Sequence, residues 1–153
     1  MKHLLLIVYG LLTTAGYSQE YNLSDFQEVH IVIADTSSNY YQLHDKMTCI
    51  SEKLLIEIDS MGREYDAENK LIRLPKNHED EIYAGDYFPR RYPSKTLSIE
   101  HFEYYNIESS HLKCIVAGIY ETKKEAVKRM KLIKPYSSNT FILSTKLYMG
   151  CMH

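Results

Sequence analysis

Apolar and polar positions along the chain follow two rhythms, one of two residues and one of three to four, and the changes between them mark out the elements. Residues 28–34 form a β-branched run closed by the turn-prone segment 35–39, which predicts a first strand. From residue 40 to 60, Leu43, Met47, Ile50, Leu54 and Ile58 recur at spacings of four and three. That stripe predicts an amphipathic helix, with Gly62 as its stop. Between 63 and 110 the rhythm breaks. Turn signals at 66–69, 75–77, Gly85 and 89–94 separate short apolar pieces at 71–74 and 97–102, so one or two strands are expected inside an irregular insert.

Regular patterning returns at residue 112. Residues 112–120 read as a strand, and Thr122 with Glu125 three positions on forms a capping box opening a helix through Lys134. Ala126, Val127, Met130 and Ile133 make its inward stripe, and Pro135 ends it. In 140–149, Phe141, Leu143, Leu147 and Met149 alternate with Ile142, Ser144, Lys146 and Tyr148, as in a strand with one core face and one wet face. The order predicts an α+β, ferredoxin-like split βαβ fold (βαββαβ), an antiparallel sheet with both helices on one face plus the insert.

The second half carries a more specific pattern. A strand ending in Gly118 and Tyr120, a helix capped by Thr122, and the early Glu125-Ala126 pair, followed by the run from Met130 to Lys134, resemble the second half of SPOR (sporulation-related repeat) domains. The likeness is strongest over residues 111–149. The first half is looser, with Asp35-Thr36 where the family has a Gly-aromatic turn, and the insert is longer than the family usually carries. The resemblance implies a non-catalytic domain that binds peptidoglycan glycan strands on the sheet face left bare by the helices.

Composition adds a location. Lys2, the apolar stretch 4–12 and the small-x-small pattern Gly16-Tyr17-Ser18 read as a signal peptide spanning 1–18, so residues 19–153 are expected to be one secreted domain of the periplasm or cell envelope. The apolar stretch is far shorter than the roughly 20 residues of a spanning helix, and no transmembrane anchor is expected. Loss of residues 1–18 removes Lys2 and no acid, leaving 17 basic residues against 20 acidic ones. A net charge near −3 argues against a nucleic-acid partner. Three cysteines, Cys49, Cys114 and Cys151, leave at least one thiol unpaired or paired between chains.

Candidate binding residues follow from what sugars require, which is flat apolar surface for rings and planar hydrogen-bonding groups for hydroxyls and carboxylates. Tyr83, Tyr87, Phe88, Arg90, Arg91 and Tyr92 lie within ten residues of the insert. They form either a binding segment or an Ω-like loop whose aromatics fill its own small core. In a 4-1-3-2 sheet the polar alternates His30, Lys113, Lys146 and Tyr148 should share the bare face, with Tyr120 of the Gly-x-aromatic turn as a further ligand-binding candidate. The second helix carries six basic residues between Lys123 and Lys134 against Glu121 and Glu125, either an anionic docking face or an ordinary wet one. His111, Cys114, Cys151 and His153 together have the ligand types of a structural zinc site, but their spacing matches no standard finger, so no metal and no cofactor are expected.

No Gly-x-Ser-x-Gly elbow, His-Glu-x-x-His, phosphate loop or Cys-x-x-Cys occurs, and an enzyme is not expected. The leading expectation is a secreted binding module for peptidoglycan glycan strands. The alternatives are an envelope assembly protein that holds a protein partner through the aromatic insert, and, last, a small wall hydrolase.

Overall fold

The computed structural model describes residues 25–106, 108 and 111–150; the signal peptide expected at 1–18, and Cys151 and His153 of the zinc set, lie outside these. Six strands and two helices follow in the order β1 (Phe26–Ser37), α1 (Tyr40–Leu54), β2 (Glu64–Asp66), β3 (Leu71–Arg73), β4 (Ser98–His101), β5 (Lys113–Tyr120), α2 (Lys123–Ile133) and β6 (Phe141–Tyr148). The Asn39 side chain opens α1 by accepting from the backbone of Tyr41 and Gln42 at 3.0 and 3.3 Å. Thr122 does the same for α2, where its Oγ1 accepts from Glu125 N and its hydroxyl donates to the Glu125 carboxylate at 2.6 Å.

The first helix stops earlier than the hydrophobic stripe predicts. Leu55 takes the left-handed conformation at φ 53° with its side chain in solvent, and Ile56 donates back to Ser51 O at 3.1 Å. Ile56 thereby enters the core, while Ile58 leaves the helix to bridge Leu97 beside β4. The stripe ran on past the helix because Ile58 has a partner in the sheet layer, which local periodicity does not register.

The main sheet has the order β4-β5-β1-β6 with every neighbouring pair antiparallel, and β2-β3 forms a separate hairpin. Two helices and a mostly antiparallel sheet make an α+β architecture compatible with a ferredoxin-like fold. Gly118 sits in β5 at φ 137°, and a Cβ there would lie 2.6 Å from the hydroxyl oxygen of Tyr120. The spacing Gly-x-Tyr is thus explained by packing, since the Tyr120 ring folds back over a position that has room for hydrogen only.

Both faces of this sheet are covered. On the helix side, Val32, Ala34, Ile115 and Ala117 pack with Leu43, Met47 and Ile50 of α1 and with Ala126 and Ile133 of α2. On the other side, Val29, Ile31, Ile33, Cys114 and Val116 are wholly buried, in one cluster with Phe102 and Tyr105 of the insert and Leu147 of β6. Each such aliphatic side chain contributes about 1.5–3 kcal/mol on burial, so the second face is a core in its own right. The expectation of a bare sheet face is overturned. β1 carries apolar residues at every position from Ile31 to Ala34, as a strand buried on both sides must.

The insert is tied to this second face by a buried ion pair. Arg63 presents Nη1 and Nη2 to the two carboxylate oxygens of Glu100 on β4, the second contact measuring 2.6 Å, with the side chains 1 % and 0 % exposed. Arg63 Nε also donates to Ser60 O and Nη1 to Phe88 O, each at 2.7 Å. Glu100 further accepts from Ser98 Oγ at 2.5 Å and Tyr87 Oη at 2.7 Å, so every charge in the network has several partners. Burial alone would lower the Arg63 pKa, but the bonds and charge of Glu100 outweigh it and the guanidinium is held above its ordinary value. Arg63→Met strands the Glu100 carboxylate in an apolar layer and is expected to cost about 3–5 kcal/mol in urea unfolding. Adding Glu100→Gln, which removes the stranded charge, should restore part of that loss; an unchanged midpoint for the single variant would contradict the network.

Candidate functional site

The residues expected to share a binding face are distributed differently. His30 pairs in register with Ser144, Glu28 with Lys146 and Phe26 with Tyr148, on the same side of the sheet as Val32 and Ile142, which pack toward the helices. His30, Lys146 and Tyr148 are therefore neighbours, but on the helix side of the edge strand, where Ser144 and Lys146 are exposed. There His30 Nδ1 lies 2.7 Å from Ser144 Oγ, and the Tyr148 ring lies 5.4 Å from that of Phe26. The phase of the alternation was legible; which phase faces the helices was not.

Lys113 is separated from them. It pairs with Ser37 at the far end of β1, seven residues or about 23 Å of strand from His30. Its side chain also lies on the helix side, with Nζ 5.5 Å from the centre of the Tyr65 ring, which is itself stacked on Tyr40 at 4.0 Å. Burial and then the charge of Lys70 depress its pKa. Tyr120 is buried against Gly118 and the helix-side core, a packing role.

The aromatic and basic segment of the insert divides in two. Tyr87 donates to Glu100, accepts from His101 N at 3.2 Å and meets the His101 ring edge-on at 4.8 Å. Arg90 is buried and donates to Thr96 O at 2.9 Å and to Asp59 O at 2.5 Å, while Tyr105 Oη donates to Arg90 O at 2.5 Å. Both are structural plugs, so their expected ligand-binding role is corrected. Desolvation, followed by the Glu100 charge, drives the Tyr87 and Tyr105 phenols well above their ordinary pKa values, which keeps them neutral donors.

Tyr83, Phe88, Arg91 and Tyr92 turn the other way. With Met61 and Met149 they line a cavity of about 540 Å³ between the insert and the end of β6. Tyr83 and Phe88 meet edge to face at 4.8 Å, which presents ring surface in two perpendicular planes. Tyr92 is 55 % exposed and lies under Arg91, whose guanidinium carbon is 5.2 Å from the ring centre. Arg91 Nη1 donates to Tyr148 O at 3.0 Å and Gly150 O at 2.7 Å, and Tyr92 Oη to Met149 O at 3.2 Å, which fixes the cavity wall against the chain leaving β6. A space of this size, walled by rings, with Arg91, His78 and the ion-paired Arg63 also on its lining, suits a ring-shaped or extended ligand and offers stacking and a planar hydrogen-bond donor.

Among the described residues no group of three or more His, Cys, Asp or Glu side chains is placed to hold a metal ion, and no helix is long and apolar enough to cross a membrane. Cys114 is wholly buried, and burial with the nearby Glu100 charge pushes its thiol well above the ordinary pKa. On α2, Arg129 is spent on Ala117 O and Lys95 O, while Lys124, Lys128 and Lys131 are exposed. No family model, curated protein or solved structure matches the chain.

The division of the insert segment can be measured. Tyr92→Ala is expected to change unfolding free energy by less than about 0.5 kcal/mol, as at an exposed position. Tyr87→Phe, which removes a donor to Glu100 and an acceptor for His101 N, should cost about 1–3 kcal/mol. Equal effects of the two changes would contradict the division.

Proposed function

We propose that the protein is a secreted, non-catalytic binding module of the cell envelope, with a ferredoxin-like split βαβ frame, that holds peptidoglycan glycan strands in the cleft of its insert. The observation that carries this reading is the cavity walled by Tyr83, Phe88, Tyr92 and Arg91, which joins ring surface to a planar donor in one place. The SPOR-like pattern around Gly118, Thr122 and Glu125 supports the frame and the class of ligand. It does not extend to the mode of binding, because the sheet face that such a mode would use is filled by Phe102 and Tyr105.

One observation favours a second reading, a protein partner in envelope assembly. Met61, at 43 % exposed, and Tyr92 flank the cleft, and Ile82, next to Tyr83 in sequence, is 81 % exposed. Exposed apolar side chains grouped in this way also suit a protein interface.

Co-sedimentation with purified sacculi tests the proposal. The protein should pellet with sacculi, and Tyr83→Ala with Tyr92→Ala should weaken binding at least about tenfold, the loss of two stacking contacts, while leaving the fold intact by circular dichroism. Failure to pellet, or full binding by the double variant, would remove the glycan reading and leave the protein-partner one.

A further inference from the structure

We infer that the cleft selects a ligand bearing a carboxylate, and that Arg91 is the residue that selects it; this rests on the proposal that the cleft is the binding site. The other arginines of the insert spend their charge on carboxylates. Arg63 is held by Glu100, Arg73 by Asp66, and Arg90 lies 3.5 Å from the Asp59 carboxylate. Arg91 differs from all three. Its partners among the described residues are the Tyr92 ring and two main-chain carbonyls, both reached through Nη1, and no carboxylate lies within ion-pair distance. Among the described residues no acidic side chain compensates its charge, and it stands on the wall of a cavity whose other charged guanidinium, that of Arg63, is already paired with Glu100.

Geometry makes that charge usable. The two bonds from Nη1 and the Tyr92 ring hold the guanidinium in place, so little side-chain entropy is lost when an anion arrives. A carboxylate accepts from the planar fork of an arginine through two oxygens at once, which a hydroxyl or an acetamido group cannot do. The rings of Tyr83, Phe88 and Tyr92 supply the apolar surface beside it. The occupant that fits is a sugar ring carrying an acidic substituent, held by its face on the aromatics and by its carboxylate on Arg91. Charge complementarity thus chooses between two otherwise similar rings, one neutral and one acidic.

Two tetrasaccharides differing in this feature alone make the test: one of N-acetylglucosamine only, and one in which that sugar alternates with N-acetylmuramic acid, which adds a lactyl carboxylate. Calorimetric titration should give at least tenfold tighter binding of the acidic oligomer, an advantage that shrinks as salt is raised from 50 to 500 mM, as a charge contact requires. Methyl esterification of that oligomer should abolish the advantage with the unaltered protein, so the result does not depend on how any variant folds. Arg91→Gln should abolish it as well, bringing the two oligomers to equal affinity. Equal affinity for the two oligomers, or a preference that survives esterification, overturns the inference and leaves the cleft as a glycan site. Failure to bind either oligomer, together with failure to pellet with sacculi, overturns the proposed function too.

Discussion

The structure depends on the contact between Arg63 and Glu100, two opposite charges wholly removed from water between the sheet and the insert. Desolvating such a pair is expensive, and it persists because the partners of both ions are almost all supplied within the layer. Ser60 O and Phe88 O take two more of the guanidinium hydrogens; Ser98 and Tyr87 donate to the carboxylate oxygens. Those partners lie at residues 60, 87, 88 and 98, so satisfying one buried pair fixes the path of most of the insert. The pair specifies where the insert lies more than it stabilises it.

That constraint decides which surfaces remain for function. With Phe102 and Tyr105 in one buried cluster with Val116 and Ile33, the sheet has no free side, and the accessible concave surface moves outward to the seam between the insert and the end of β6. Arg91 closes that seam by gripping Tyr148 O and Gly150 O, so the residue that completes the scaffold also places the cleft's cation. Arg90 and Arg91 are adjacent in sequence and opposite in role, one turned into the network and the other onto the cleft wall.

Much of the frame was legible in the sequence. The Thr122 cap, the α1 stripe and the alternation of β6 are local signals, and each corresponds to an observed element, whereas Asn39 read as part of a turn and caps α1. The hairpin of β2 and β3 was only half visible, because three-residue strands carry too little periodicity. The left-handed Leu55 stayed hidden because a non-glycine helix end has no mark in composition. The site was harder. Tyr83 to Tyr92 stood out by type, but which of those side chains turn inward depends on Glu100, a residue whose burial no local pattern announces. Of His30, Lys113, Lys146 and Tyr148, expected together on a bare face, Lys113 lies at the other end of the sheet and the rest lie on the helix side, since alternation is symmetric until long-range packing assigns its faces.

The placement of the candidate site in the cleft rests on the insert covering the second face of the sheet, and Cys114 reports on that cover directly. Its sulfur belongs to the same buried cluster as Phe102 and Tyr105, whereas Cys49 stands exposed on α1. A thiol-alkylating reagent applied to the native protein, followed by peptide mapping, compares the two within one sample. Rapid modification of Cys49, with Cys114 protected until the protein is unfolded, is the predicted result. Modification of Cys114 in the native state at a rate matching Cys49 would mean that the face is open, and would contradict the account.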